Sequence, residues 1–567
     1  MRKRSCNRLL TVQLIAVFAF LPAAANAQQP ATGTKGMVAS AHELASAAGA
    51  EILAAGGNAV DAAVATAFAI TVVEPNASGL GGEGYMVLSL ADGRDLAVDF
   101  RSWSPGHVTI ATDASAMTGP ESTCIPGLVA GLTLALQEYG TKTLDEVMAP
   151  AIRLAREGFA LDAVLFDRLT ELYGYTDSGD DPVIGPIYFP DGLIPEIGSL
   201  VVNEDLADAL ELIAEQGAYA FYRGEIASAI IEAMGGWFTS ADLQRYQAVV
   251  RDAIVSEYRG HTVIGTPPNV AGIVVAEALN ILENFDLSAY GGWDDPKAIH
   301  LMAEALLLAS ADRGPYMGDP DFYDVPLAGL LSEEYAAERA ALIDPGAAMV
   351  PTREVPAGDP YPFMAAPVGV RDGAESPSTT QISVLDEAGN AVSITQTISS
   401  FWGSQDMIPG YGFFMNNELH NFNTYNPDRP NDVNVVGPYK RPRTVIAPTI
   451  VRDSAGQVFL VLGTPGAGRI PSTVVETIVN VIDFGMSLED AIKAPKFTSR
   501  VGYAELHIEG GYSDGTIAAL EALGHTLDVT HGELDYYFGG INAIIVEDGL
   551  MTGVGSFRRA GGAAGPR

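Results

Sequence analysis

Between residues 40 and 72, Ala and Leu recur at helical spacing. The pattern predicts one helix that stops at Gly56-Gly57 and a second that begins near Asn58. The apolar run DAAVATAFAITVVEP, from Asp61 to Pro75, reads as a buried helix leading into a strand or turn. At about 85–101 the pattern changes to two β-rich runs around Asp92-Gly93, a hairpin signal. Residues 125–345 are dominated by Ala, Leu and Glu with Pro-Gly punctuation, which predicts mostly helix. Composition then shifts over 351–378 to Pro, Gly, Ala and acidic residues, the signature of an exposed linker. Strands resume at once with ISVLD, AVSITQTI, TIVRD and VFLVLG. Helices near 472–484 and 514–523 complete an α/β pattern, and no repeat of fixed period is present.

The N-terminus adds a location to this picture. MRKRSCNRLL followed by TVQLIAVFAFLPAAANA has a basic start, a short apolar stretch and small residues at its end. It predicts a secretory signal cleaved after about Ala27 and a periplasmic or secreted protein without a membrane anchor. Cys6 precedes the apolar run and goes with the signal, leaving Cys124 alone, so stability must come from a large core rather than from disulfides. The formal charge is −38, and losing Arg2, Lys3, Arg4 and Arg8 with the signal makes it −42; nucleic acid is excluded as a partner on that ground.

Candidate chemistry concentrates in STTQISVLDEAGNAVSITQTISS, residues 378–400. Two strands flank the loop Glu387-Ala388-Gly389, with Asp386 and Asn390 at its base. A register symmetric about that loop sets Thr379 opposite Thr397, two hydroxyls at the open end of a hairpin directly after the linker. A threonine at a chain terminus carries its own base, because its α-amino group, with a pKa of about 8, reaches its hydroxyl. Thr397 would then orient the nucleophile. Threonine also opens β-strands for no catalytic reason, and this segment alone does not separate the two readings.

The rest of the chain bears on that choice. GGNAVDAAVA at 56–65, VEPNASGLGGEGYM at 73–86, DFR at 99–101, ADRGPYMGDP at 311–320, STTQISVLD at 378–386, GNAVSITQT at 389–397, GFFMNNELHNF at 412–422, GPYKRPRTVIAPTIV at 437–451 and GTPGAGRI at 463–470 occur in order. In these strings the chain resembles the gamma-glutamyltransferase family across nearly all of its mature length. The resemblance implies an α/β (α+β) fold, a four-layer αββα N-terminal-nucleophile sandwich. It implies a precursor cut between Ser378 and Thr379 into a large subunit, 28–378, and a small subunit, 379–567, intertwined in one domain. Thr379 would attack a γ-glutamyl amide such as glutathione, and water or an acceptor amine would resolve the acyl-enzyme. Thr397 matches the threonine that supports the nucleophile, and Gly466 and Ala467 match the backbone donors of the oxyanion hole, where the family usually has two glycines. Arg101 matches the arginine that grips the substrate α-carboxylate, and Glu418 a position that contacts its α-amino group. No cofactor is implied.

The substrate pocket departs from the family pattern. Asn421 stands where an aspartate pairs with the α-ammonium, Ser399 replaces an asparagine frequent in bacterial members, and Thr444 and Val445 replace a Ser-Ser pair that binds the carboxylate. Arg443 beside them offers a further positive charge. The changes favour an alternative, a cephalosporin-acylase-like amidohydrolase acting on glutaryl or other carboxylated acyl amides. Tyr425 lies in a segment that in some members forms a lid, but its place over the pocket does not follow from the sequence. Other classes fit less well. Eight scattered histidines without HExxH or a Cys/His cluster disfavour a metalloenzyme, no G-x-S-x-G elbow is present, and Arg469-Ile470 stands where a P-loop needs Lys and Ser/Thr. An inactive periplasmic binding protein on the same fold predicts a damaged nucleophile region, whereas Thr379 and Thr397 are intact.

Overall fold

The computed structural model describes residues 30–175, 179–349, 355–363 and 378–566. The signal at 1–27 and most of the expected linker at 351–378 lie outside the described residues.

The two expected N-terminal helices are present as Glu43–Ala54 and Ala59–Val73. The boundary is set by Asn58, whose side chain accepts from Val60 N at 2.9 Å and Asp61 N at 3.0 Å, while Asp61 returns a bond to Asn58 N at 2.8 Å. Every residue of the second helix is buried, which explains why it is apolar on all sides.

Two seven-stranded antiparallel sheets form the centre. The first runs, edge to edge, Gly562–Ala564, Gly36–Ser40, Thr380–Asp386, Ala391–Thr397, Glu83–Ser89, Asp95–Phe100 and Val249–Asp252. The second runs Ala31–Gly33, Leu550–Val554, Ala543–Glu547, Val458–Leu462, Thr449–Arg452, His261–Gly265 and Ile254–Tyr258. Both sheets take strands from each side of Ser378-Thr379.

Three apolar clusters define the layers. Ile382, Val384, Val392 and Ile394 of the first sheet pack outward on the N-terminal helices. Leu460, Leu462 and Ile545 of the second pack outward on the helices Gly272–Leu282, Pro296–Tyr316 and Ile470–Ile482. Met37, Val87, Leu385, Ile450, Val461 and Ile544 fill the space between the sheets. This is the αββα sandwich, and period-2 alternation along each strand builds it.

Residues 125–345 are mostly helical, as expected, but three strands that the composition hid lie among the helices. Val249–Asp252, Ile254–Tyr258 and His261–Gly265 are strands that complete an edge of each sheet. Arg259 and Gly260, at φ 50° and 74°, make the tight turn that joins the last two. No helix among the described residues is long and apolar enough to cross a membrane.

Candidate active site

The hairpin register is symmetric about its loop. Thr380 pairs with Gln396 and Leu385 with Ala391, and extending the ladder by one residue sets Thr379 beside Thr397. The far end is pinned by Asp386, which accepts from Asn390 N at 2.9 Å and from Ala59 N at 2.9 Å at the start of the buried helix. Between these ends, the side chains of alternate residues enter the inter-sheet layer. Gln381 donates to Ser393 Oγ at 2.9 Å, Thr395 donates to Gln381 Oε1 at 2.6 Å, and Ser393 donates to Leu462 O at 2.9 Å. The layer is therefore apolar around Leu385 and polar toward Thr379, and hydrogen bonds tie the two sheets together at the polar end.

The chain runs unbroken from Ser378 to Thr379, and both residues are buried. The Thr397 hydroxyl donates to Ser378 O at 2.7 Å and accepts from Ser399 N at 2.8 Å. The Thr379 hydroxyl lies against the same Ser378 carbonyl. Ser378 is fixed further by its N–H to Ser399 O at 3.0 Å and its hydroxyl to Asn76 O at 3.1 Å. One peptide carbonyl thus has the Thr397 hydroxyl donating to its oxygen and, beside it, the hydroxyl of the residue that follows it in the chain.

Gly466 and Ala467 lie on the loop that follows Val458–Leu462. This loop leaves the sandwich beside the start of Thr380–Asp386: Gly463 sits so close that a Cβ there would be 2.3 Å from Gln381 Oε1. Gly466 has φ 134° and Ala467 φ 51°, and the two residues open the turn into Ile470–Ile482. Their carbonyls accept from Arg469 N and Ile470 N. Neither of their amides donates a hydrogen bond among the described residues, the condition a backbone anion site requires.

Four of the expected substrate residues come together in one buried network. Arg101 Nη2 donates to Glu418 Oε2 at 3.0 Å and to Pro442 O at 3.2 Å, and its Nη1 meets the Glu83 carboxylate. Asn421 Nδ2 donates to Glu418 Oε2 at 2.7 Å and to Ser399 Oγ at 3.1 Å. Ser399 holds φ 79° at the edge of this network, one residue past Ile398 and two past Thr397. The Arg101 guanidinium is 0% exposed, and burial lowers its pKa against the pull of Glu418. It is bonded to the Glu418 carboxylate, with that of Glu83 beside it.

The remaining pocket residues lie differently. Thr444 is held by its own N–H on Asn269 O at 3.1 Å, and Val445 belongs to the apolar cluster behind the second sheet. Arg443 adds no free charge beside them: its Nη1 donates to the carbonyls of Arg313, Gly314 and Met317 at 2.9–3.1 Å, at the C-terminal end of Pro296–Tyr316. Tyr425 is 38% exposed.

A family model described as gamma-glutamyltranspeptidase matches residues 45–566. The chain belongs to the gamma-glutamyltranspeptidase family. It is 39% identical over 515 residues to the glutathione hydrolase proenzyme of Escherichia coli (strain K12), covering 87% of this chain and 86% of that one. It is 38% identical over 554 residues to the acylase ACY 1 proenzyme of Pseudomonas sp. (strain V22), covering 94% of each. Among solved structures, a cephalosporin acylase from Bacillus halodurans superimposes with a TM-score of 0.82 at 29% identity, covering 98% of this chain and 100% of the other. The sandwich is accordingly that of an N-terminal-nucleophile amidohydrolase or transferase of the gamma-glutamyltranspeptidase family.

Two residues behind Thr379 were not singled out from the sequence. Arg559 Nη1 donates to Thr379 O at 3.3 Å, with its guanidinium 3.9 Å from the centre of the Tyr536 ring. Glu74 is buried nearby. Burial raises its carboxyl from 4.5 to about 7, against the opposing pull of the Thr380 hydroxyl and of Arg559. Glu74 falls inside VEPNASGLGGEGYM, so the motif carried the signal, but nothing in the string distinguished a charge behind Thr379 from a turn residue.

Proposed function

We propose that this gamma-glutamyltranspeptidase family member cleaves its own backbone between Ser378 and Thr379 and then uses Thr379 as an N-terminal nucleophile. The observation that supports this is the Ser378 carbonyl, which takes the Thr397 hydroxyl at 2.7 Å and lies against the Thr379 hydroxyl. Thr379 Oγ1 adds to the Ser378 carbonyl carbon while Thr397 donates to its oxygen. The C–N bond breaks with proton transfer to nitrogen, leaving an ester. Water hydrolyses that ester to a Ser378 carboxylate and a free Thr379 amine. The subunits 28–378 and 379–567 stay together because each sheet is laced from both.

The freed amine then takes the proton from its own hydroxyl as that hydroxyl attacks an acyl amide. The amides of Gly466 and Ala467 receive the oxyanion, and the leaving amine departs protonated. Water or a second amine resolves the acyl-enzyme. The relatives' names indicate two donors, glutathione and the acyl amides of the acylase branch. For the first, Arg101 would take the α-carboxylate once Glu418 or Glu83 yields, and Glu418 the α-ammonium. A specific observation favours the second: Asn421 presents its NH2 to Glu418 and Ser399, where an ammonium would want an acceptor. The N-terminal 27 residues support export.

Mass spectrometry of the matured protein tests the cleavage: two chains, the second beginning at Thr379, are expected. One uninterrupted chain that still hydrolyses amides overturns the mechanism. The ratio of kcat/KM for γ-glutamyl and glutaryl anilides decides between the donors.

A further inference from the structure

The histidines that are scattered along the chain do not all stay apart in the fold. The strands Leu506–Ile508 and Leu527–Asp528 pair in parallel, with His507 directly opposite Asp528. His531, three residues past Asp528, folds back on the pair. One ring nitrogen from each histidine and one carboxylate oxygen of Asp528 lie within 4.8 Å of one another. His531 Nε2 is 3.5 Å from Asp528 Oδ2, and it is buried with no hydrogen-bond partner among the described residues.

Each residue is also placed by a partner outside the group. His507 Nδ1 meets the Tyr537 hydroxyl at 2.7 Å, and His531 Nδ1 faces Asp535 Oδ2 at 3.4 Å. Asp528 Oδ1 accepts from Thr530 N at 3.0 Å and from Thr530 Oγ1 at 2.6 Å. Metal-binding histidines are oriented in this way, with one nitrogen on a carboxylate or other partner and the second turned to the ion. The His531 and Asp528 side chains are 16% and 20% exposed, so an ion reaches them from solvent.

We propose that His507, Asp528 and His531 form a Zn2+ site. Two imidazoles and one carboxylate make a donor set suited to Zn2+, with water in the fourth position. A second group, His300, Glu304 and His525, is a poorer candidate. It is fully buried, and His300 Nδ1 and His525 Nε2 lie 2.8 Å apart, bonded to each other. Two nitrogens on one tetrahedral Zn2+ at about 2.0–2.1 Å would sit roughly 3.3 Å apart.

The site would staple the wall behind the oxyanion turn. Tyr537, which orients His507, also accepts from Arg469 Nε through its carbonyl at 3.0 Å and carries the Arg469 guanidinium 4.0 Å from its ring centre. Two residues on, Gly539 lies against Gly466, where an added Cβ would stand 3.1 Å from the Gly539 Cα. The proposal does not depend on the donor or on the Thr379 chemistry.

Untagged, matured protein is treated with chelator and titrated with Co2+, followed by visible absorption, and with Zn2+, followed by calorimetry. One ion per chain and the intense visible bands of four-coordinate cobalt are expected. His531→Ala and Asp528→Asn should each weaken binding at least about tenfold, and Asp535→Asn by about tenfold through loss of orientation. His525→Ala should leave it unchanged. Asp528→Asn keeps an oxygen for Thr530, which guards against misreading a folding defect. No uptake by the wild-type protein means that His531 only forms an ion pair between two carboxylates, and the proposal fails. It also fails if uptake persists in both His531→Ala and Asp528→Asn.

Discussion

Replacing Thr397 by valine isolates the hydroxyl at the scissile carbonyl while keeping the shape of the side chain. In the uncleaved chain that hydroxyl makes two bonds, to Ser378 O at 2.7 Å and from Ser399 N at 2.8 Å, and the residue is 2% exposed. The ground-state bond to Ser378 O contributes only about 1 kcal/mol. Once Thr379 adds to the carbonyl carbon, the same oxygen becomes an anion. Loss of a single oxyanion donor costs about 2.7–4 kcal/mol, or roughly 10²–10³ in rate. The excess of the second figure over the first is the part that slows maturation. Thr397→Val also strands the buried Ser399 N–H, at about 1–3 kcal/mol of stability. That loss is measured separately, by thermal unfolding in an uncleavable Thr379→Ala background. The assay is conversion of purified precursor into two fragments, followed by denaturing electrophoresis and intact mass. Thr397→Ser keeps both bonds and should mature at close to the wild-type rate. A Thr397→Val precursor that matures within about threefold of wild type, less than 1 kcal/mol in the barrier, would refute the role assigned to this hydroxyl.

Ala467 holds φ 51°, a conformation that costs a non-glycine residue about 1 kcal/mol, so Ala467→Gly should raise the thermal midpoint of the precursor and Ala467→Val should lower it. Glu74 has a folded-state pKa of about 7 against an ordinary 4.5, so its contribution is fully present below pH 4.5 and is lost as pH rises through about 7. That rise corresponds to about 3 kcal/mol, and the stability of Glu74→Gln relative to wild type, from denaturant unfolding at a series of pH values, should grow across this window; a flat difference would contradict it. Asn421→Asp on its own sets a carboxylate against Glu418 Oε2, so it is made together with Glu418→Gln. Because the pair trades the Glu418 carboxylate for one at position 421, the number of anionic acceptors for an α-ammonium is unchanged, and the γ-glutamyl to glutaryl kcat/KM ratio should stay within about tenfold of wild type, less than one charge-assisted hydrogen bond; a larger shift toward γ-glutamyl would assign the ammonium to position 421 rather than 418.

The hairpin around Glu387-Ala388-Gly389 was legible because a two-residue alternation and a short loop leave one register that buries Ile382, Val384, Val392 and Ile394 together. The caps were legible for the same local reason, since Asn58 satisfies amides within three residues of itself. The strands between Val249 and Gly265 were hidden by composition. They are short, they follow a long helical region, and their partners Asp95–Phe100 and Thr449–Arg452 are about 150 to 190 residues away in sequence. Their own signal was the β-branched pairs Val249-Val250 and Ile254-Val255 on either side of a break, and the Arg259-Gly260 turn.

Motif matching named candidate pocket residues but not their partners. Arg101, Glu418, Asn421 and Ser399 do converge, yet Arg101 is closed off by Glu83, a residue that the motif contains and that gave no sign of its charge being used. Arg443 shows the converse. Next to the proposed pocket in sequence, it is drawn off by the carbonyls of Arg313 and Gly314 at the end of Pro296–Tyr316, a helix more than a hundred residues earlier. Both outcomes follow from one rule: a buried guanidinium must be paired, and it goes wherever the packing places buried acceptors within its reach. Acceptors of that kind are created by the packing of distant elements, so a positive charge in a motif is a statement about position, and only the fold says what it is paired with. Under the proposed reaction Arg101 is therefore no preformed carboxylate clamp: binding would exchange a protein carboxylate for a ligand carboxylate, and selectivity would depend on how readily Glu418, held at the same oxygen by Asn421, is released.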